Sequence, residues 1–489
     1  MMRSGFGKLL AALLTTAVLT AGCSGAPAAQ QQQELNPDDP VSVEIWHYYN
    51  GPQKMAFDEL VTEFNETVGQ EKGIVVEAFS QGNVNDLFRK VHEAADKKVG
   101  AGEVPDVFAA YSDTVYDLDQ AGLVAALDDY ITPEELSEYV EGYIAEGRFD
   151  ASGSLKIFPT AKSTEIMMIN KTDWDKFAAE TGADLDSLAT IEGVVAAAQS
   201  YYNWTDGLTP EIENDGRAFF GRDAMANYMV IGYYQTAGHP LFETRDGAVV
   251  FEPDEAAFRR LWDNYYVPYI NGWFGAYGRF RSDDAKTGDI IALVGSTSGS
   301  LYFPDTVTLS DTESYPIEAV VMPAPIFDGA KPSAVQQGAG MAVIKSDPQT
   351  ELAAVTFLKW FTEEERNIRF SVSSGYLPVK KAANNMEKIL MAHSEGDAFT
   401  PTLEKTFAVA IEEVHTHEMY AERAFRGSAA ARDVLETCLQ KQADADRQRV
   451  LDRIAGGVSH EDAVAEFTTD AQFTDWYEQM VSAVREAIA

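Results

Sequence analysis

The stretch VSVEIWHYYNGPQKMAFDELVTEFNETVGQEKGIVVEAF, residues 41–79, carries the alternation on which the fold class turns. Residues 41–46 alternate apolar and polar as a half-buried strand does. Residues 54–65 space their apolar side chains as one face of a helix, and residues 74–79 alternate again. A strand, a helix and a second strand at this spacing form a parallel pair bridged by a crossover helix. The pattern continues outward. Residues 85–99 form an amphipathic helix pattern, residues 105–110 (PDVFAA) a short buried strand, and a helix begins within residues 115–121. Strands and helices in alternation predict an α/β fold with helices on both faces of a sheet. Ligands of such sheets bind beyond the carboxyl ends of the strands. The ends that matter here are Trp46-His47-Tyr48 and Ala110-Tyr111-Ser112.

With 489 residues the chain exceeds what one hydrophobic core usually supports, so at least two lobes are expected. Residues 155–159 and 164–170 read as strands crossing from one lobe to the next. The second lobe is helix-rich and aromatic, with helices over 224–236 and 256–265, and a strand over 290–295 running into Gly295-Ser296-Thr297-Ser298-Gly299-Ser300. Strands over 317–323 and 340–344 flank a glycine-rich turn. From residue 349 the pattern is almost wholly helical, broken most clearly at 375–378. No repeat of fixed period is present.

The balance of 77 acidic against 38 basic residues gives a net charge of −39, which repels nucleic acid and anionic membrane surfaces. A nucleic-acid partner is therefore not expected. Residues 1–22 combine a basic head with an apolar run at 9–20 too short to span a bilayer comfortably, the pattern of a signal peptide. Leu19-Thr20-Ala21-Gly22 before Cys23 resembles the bacterial lipobox, with Thr20 where leucine is commoner. That resemblance implies lipidation of Cys23, and residues 23–40, rich in Ala, Gln and Pro, suit a flexible tether. Cys438 is the only other cysteine, so neither a disulfide framework nor a cysteine metal site is expected.

Five segments together resemble the family 1 extracellular solute-binding proteins of ABC importers, the group of maltose- and glycerol-3-phosphate-binding proteins. They are residues 41–66, residues 102–131 (GEVPDVFAAYSDTVYDLDQAGLVAALDDYI), residues 156–174 (KIFPTAKSTEIMMINKTDW), residues 322–365 and residues 371–383 (SVSSGYLPVKKAA). The resemblance implies a two-lobed periplasmic-binding-protein-like fold with crossing hinge strands and a ligand cleft between the lobes. Mapped here, one lobe is 41–154 plus 331–382 and the other 155–330 plus 383–489. It further implies a monomeric receptor, anchored by its N-terminal lipid, that captures a small carbohydrate and passes it to the importer's transmembrane subunits. No cofactor is implied.

Sugar recognition needs flat apolar faces and a few fixed donors and acceptors. Trp46, His47 and Tyr48 offer both at one strand end, and Tyr111 and Ser112 at another. Lys162 and Glu165 stand where the family places hinge contacts, a mutual or interlobe ion pair being the competing reading. Trp204, Tyr228, Trp273 and Arg281 are candidates from the second lobe, against the commoner fate of aromatics at helical spacing, which is core packing. Thr297 and Ser298 offer hydroxyls, and Gln337, Gly338 and Tyr376 come from the returning segments. Catalytic patterns fail: residues 295–299 have the glycine spacing of a nucleophile elbow but put threonine in the nucleophile slot. His415 and His417 diverge on a helix and lack the zinc-hydrolase pattern. The chain is read as a receptor and not an enzyme. The rivals are a polyol-phosphate receptor, for which Arg281 and residues 296–300 would supply donors, a glycoside-processing enzyme, and a sensor that docks on a signalling partner.

Overall fold

Val43, Ile45 and His47 are buried on one face of the first strand while their neighbours are more open, the alternation that residues 41–46 predict. The computed structural model describes residues 35–150, 152–245, 248–392 and 399–489. The expected signal peptide, the lipidation at Cys23 and the tether before residue 35 lie outside the described residues. In chain order the first strands are β1 (Val41–His47), β2 (Ile74–Ser80), β3 (Val107–Ala110), β4 (Ile157–Phe158), β5 (Glu165–Asn170) and β6 (Phe220–Arg222). Next come the hairpin β7 (Glu243–Arg245) and β8 (Ala248–Val250), then β9 (Ala292–Ser296) and the hairpin β10 (Thr306–Ser310) and β11 (Glu313–Pro316). The last strands are β12 (Ala319–Pro323), β13 (Ser333–Val335), β14 (Gly340–Val343) and β15 (Glu418–Tyr420).

Two sheets organise the molecule. The first has the order β2-β1-β3-β14-β4 and the second β12-β5-β9-β6. The pairs β1–β2 and β1–β3 are parallel, as the alternation of strands and helices predicts. However, β14 runs antiparallel to β3 and β4, and β5 antiparallel to β9 and β12. Both β5 and β14 are segments that enter a sheet after crossing from the other one, so they arrive in the reverse direction. Each sheet has its own core. Val43, Ile45, Phe57, Phe108, Phe158, Met341 and Phe357 belong to one. Met167, Ile169, Tyr228, Trp262, Val294, Leu435 and Trp476 belong to the other. The fold is therefore α/β and two-lobed.

Local signals set the helices. Asn83 accepts the Asp86 N–H at 2.9 Å to start the Val84–Ala95 helix, and Asp347 with Pro348 starts the Pro348–Phe361 helix. The helix expected within 115–121 begins at Ser112, three residues earlier, because Thr114 and Tyr111 close its first turn. This places Ser112 and Asp113 at the helix start, beside the end of β3. The short strands β6, β7, β8, β10, β11, β13 and β15 are absent from the sequence reading, and β15 is the one that falls in the region expected to be helical. It pairs in parallel with β13 and interrupts the helical C-terminal region.

The chain passes between the sheets twice, from β4 to β5 and from β12 through β13 to β14. A backbone bridge between Ser163 and Gln337 joins the two crossings, and one between Lys162 and Leu377 ties the first crossing to the segment that follows the Glu364–Ser374 helix. Gly338 lies on the return crossing with φ +86°, and a Cβ there would stand 2.7 Å from the Ala161 carbonyl oxygen and 2.9 Å from the Lys162 Cα. Only glycine fits where the two backbones press together.

Candidate functional site

Glu165 opens β5 directly after the first crossing and is 4% exposed. Its Oε2 accepts from Arg222 Nη2 at 2.7 Å, and its Oε1 accepts from Asn227 Nδ2 at 2.9 Å and Gln337 Nε2 at 3.5 Å. Asn227 Oδ1 in turn accepts from Arg432 Nη2 at 2.7 Å. Two segments far from Glu165 in sequence, residues 222–227 and Gln337, thus converge on its carboxylate, and a third, Arg432, holds Asn227 from behind. The local backbone makes this possible. Ala224, between Arg222 and the Met225–Ala237 helix, adopts φ 51° and ψ 70°, a left-handed conformation that a non-glycine residue takes at a cost of about 1–3 kcal/mol. The sharp turn lets Arg222 and Asn227 both reach Glu165.

Lys162 is 1% exposed, and its Nζ donates to Glu146 Oε2 at 2.6 Å and to the Gly338 carbonyl at 2.7 Å. Lys162 and Glu165 therefore do not pair with each other. Each is neutralised by a partner on its own side of the crossing, Glu146 for the one and Arg222 for the other. Gln336 also donates to Glu146.

Three phenols gather beside the hinge. The Tyr48 and Tyr376 hydroxyls lie 3.3 Å apart, and the Ala339 N–H donates to Tyr48 Oη at 3.4 Å. Burial pushes Tyr48, Tyr111 and Tyr376 above the ordinary phenol range; the neighbouring phenols add to the rise at Tyr48, while the hydrogen bond with Tyr48 opposes it at Tyr111 and Tyr376. Tyr376 also feels a hydrogen bond from Ser298, which belongs to the other lobe. Next to it Gly375, at φ +71°, is so close that a Cβ would meet Ser298 Cα at 2.9 Å. The Thr297 N–H donates to the Thr164 carbonyl at 2.9 Å, and the hydroxyls of Thr297 and Thr164 are buried with no partner. The Ser428–Ala455 helix touches the Ser112–Gln120 helix across the same gap. Tyr48, Tyr111, Ser112, Lys162, Glu165, Thr297, Ser298, Gln337, Gly338 and Tyr376 thus all lie at or beside the hinge.

Other candidates are placed elsewhere. His47 is fully buried in the core of the first lobe, stacked on Tyr49 and edge-on to Phe57, and accepts the Tyr49 N–H at Nδ1. Strand alternation turns it inward, and burial holds its pKa down at about 4, so it is neutral. Trp46 donates its indole N–H to Glu44 on its own strand at 2.5 Å. Trp204 packs on Phe177 and Tyr201 and donates to Glu180 at 2.9 Å, so helical spacing here means packing. Tyr228 is core, donating to the Leu261 carbonyl at 2.8 Å, though its ring lies under the Arg222 guanidinium at 5.0 Å. Trp273 packs against the second core and gives its carbonyl to the Phe219 N–H. Arg281 is 5% exposed and locked to Asp284 at 2.7 Å and the Gly278 carbonyl at 2.6 Å, which makes it a brace for its own loop.

The sequence reading missed Arg222, Asn227, Asp113, Glu146, Glu422 and Arg432. Asp113 stands two residues beyond Tyr111 and Asn227 next to Tyr228, so both were within reach. Arg432 lies in a polar helix with no motif to mark it. Asp113 Oδ1 is shielded from solvent and has no partner. Burial raises its pKa, Arg432 opposes the rise and Glu146 adds to it. Glu422 accepts from the Tyr420 hydroxyl at 3.0 Å and is pushed by burial up to about 8. Away from the hinge, a cavity of about 690 Å³ opens between Lys286, Tyr302, Asp305, Glu318, Thr400 and Lys405. Of the expected residues only Ser300, at the end of the 296–300 loop, lines it.

No curated protein matches the sequence. Among solved structures, the chain is similar to the cyclic alpha-maltosyl-1,6-maltose binding protein of Arthrobacter globiformis, at 19% identity over 91% of this chain and 99% of that one, TM-score 0.58. It is similar to UgpB of Mycobacterium tuberculosis, solved with glycerophosphocholine, at 17% identity over 92% and 100% of the two chains, TM-score 0.63. The GacH receptor of Streptomyces glaucescens GLA.O, solved unliganded and with acarbose, matches at 15% identity over 91% and 99%, TM-score 0.61. These likenesses establish the shared two-lobed fold. The family described as bacterial extracellular solute-binding protein matches residues 59–394 of the 489, and the chain belongs to that family.

Proposed function

We propose that this protein is the solute-binding component of an ABC importer, capturing a carbohydrate by closure of its lobes and delivering it to the transmembrane subunits. In this reading the lobes are 41–154 plus 331–382 and 155–330 plus 383–489, with the first boundary moved past β4, whose Ile157 and Phe158 pack in the first core, and a lipid on Cys23 anchors a monomeric receptor outside the cytoplasm. The observation that supports it most is the convergence on the hinge. Tyr48, Tyr111 and Tyr376 bring flat faces from the first lobe, while Glu165, Thr297 and Ser298 bring polar groups from the second. A ligand touching both sets stabilises the closed arrangement by its differential affinity for it.

The polyol-phosphate reading has less support. A phosphate needs free converging donors, and Arg281 is committed to Asp284 and Arg222 to Glu165. The test is thermal denaturation of the purified protein with mono- and oligosaccharides, polyols and glycerol phosphates, with recovery of each compound afterwards. A ligand held at a hundredfold its Kd stabilises by about 2.7 kcal/mol. Stabilisation by one class of sugar, recovered unchanged, is the expected result. Stabilisation by phosphorylated polyols alone promotes the rival, and conversion of an oligosaccharide revives the enzyme reading.

A further inference from the structure

The ion pairs at the hinge leave carboxylates over. Glu146 is matched by Lys162 at 2.6 Å and Glu165 by Arg222 at 2.7 Å, all four side chains being less than a tenth exposed. Asp113, Glu413 and Glu422 remain; burial raises all three, Glu422 to about 8 so that it is neutral at pH 7, and the cation whose field reaches Asp113 and Glu422 is Arg432. Its Nη2 donates to the neutral amide of Asn227, and among the described residues it makes no ion pair within 4.0 Å. A shielded carboxylate oxygen without a donor is costly, because its hydration is lost and nothing replaces it. Asp113 Oδ1 is in that condition, the carboxylate otherwise feeling only the backbone N–H groups of Asp113 and Thr114 in its own helix turn.

The surroundings favour a cation. Asp113 sits in the first turn of the Ser112–Gln120 helix, two residues beyond Tyr111, and the Tyr111 hydroxyl is coupled to those of Tyr48 and Tyr376. Tyrosine faces attract a cation through their quadrupole, and an adjacent carboxylate supplies a charge-assisted hydrogen bond. An anionic ligand would meet unbalanced negative charge. A metal ion is a poorer fit, since among the described residues no three His, Cys, Asp or Glu side chains converge as ligands.

We propose that the solute is an aminated carbohydrate, whose protonated amine is bound by Asp113 against the faces of Tyr48, Tyr111 and Tyr376. The inference rests on the receptor reading and specifies the ligand's charge. The amine supplies the cation that Arg432 supplies only at a distance, and the ligand's hydroxyls are left for Thr297, Ser298 and Gln337.

The experiment is isothermal titration of the full chain with matched pairs, glucose against glucosamine and cellobiose against its di-glucosamine counterpart, at low and moderate salt. The aminated member is expected to bind at least tenfold more tightly, with the preference falling as salt rises while any neutral binding holds. Asp113→Asn is expected to bring the ratio near one. Should that variant fold poorly by circular dichroism, the salt dependence of the unaltered protein decides by itself. Equal or tighter binding of the neutral members overturns the inference and leaves the receptor reading standing. No binding of any saccharide, neutral or aminated, overturns both.

Discussion

Glu422 holds its proton unusually far up the pH scale, to about 8, because burial penalises its charged form and neither the Tyr420 hydroxyl nor the charge of Arg432 offsets that penalty. In the unfolded chain the group releases its proton near the usual 4.5. The folded state therefore binds the proton more tightly. Its stabilising contribution is full below about 4.5 and is lost as pH rises through about 8. Replacing it by glutamine removes this one titration and leaves the others in place. Glu422→Gln is expected to gain stability relative to the unaltered protein as pH rises from 5 to 8, by at most about 1.4 kcal/mol per pH unit. Urea denaturation at stepped pH measures the difference, and a gap that stays flat or narrows upward rejects the assignment. Residues of this kind are where sequence reading stops. Lys162 and Glu165 stand out as polar groups at a crossing, but their partners lie 16 and 57 residues away, and only the fold decides that each turns to its own side. Glu422 has no local pattern because its chemistry comes from burial, which depends on what packs over it, and Arg432 has none because its partner Asn227 lies 205 residues away.

At the scale of elements, much more is legible. The alternation at 41–46, the buried run at 105–110 and the crossings near 159–170 all reappear as strands, since side-chain period and turn residues are local properties. What is not local is direction and pairing. The reversal of β5 and β14 and the existence of β15 follow from where the crossings land. His47 was misplaced for a related reason: one residue along a strand exchanges core for cleft. Gly338 belongs to this scale, because its conformation and its lack of a side chain both serve the crossing. Gly329 is a natural control, with φ +79° and open space around its missing Cβ. Gly329→Ala carries backbone strain alone, about 1 kcal/mol. Gly338→Ala adds a collision with the Ala161 and Lys162 backbone and is expected to cost clearly more, up to about 3 kcal/mol. Chemical denaturation of the two variants side by side is the check, and equal losses would mean that the crossing backbones yield without cost.

For the whole molecule, the relation that matters is between closure and affinity. Each lobe keeps its own sheet and core, so the closure proposed above would disturb neither and would change only the contacts at the gap. Ser298 stands against Gly375 there, and its hydroxyl is coupled to Tyr376. A large side chain at 298 acts as a wedge between lobes that are otherwise intact. If ligand binds tightly only to the closed arrangement, apparent affinity scales with the fraction of molecules able to close. A tenfold drop in that fraction raises the apparent Kd tenfold, equivalent to about 1.4 kcal/mol. Ser298→Trp is therefore expected to weaken binding of whichever sugar stabilises the unaltered protein by tenfold or more. Its unfolding in the absence of ligand should change little, because both cores are untouched. Small-angle scattering separates this from simple loss of a contact: the unaltered protein should contract on adding ligand, and the wedged variant should stay expanded even at saturation. A variant that binds weakly yet contracts fully would show that Ser298 contributes a contact and leaves closure alone.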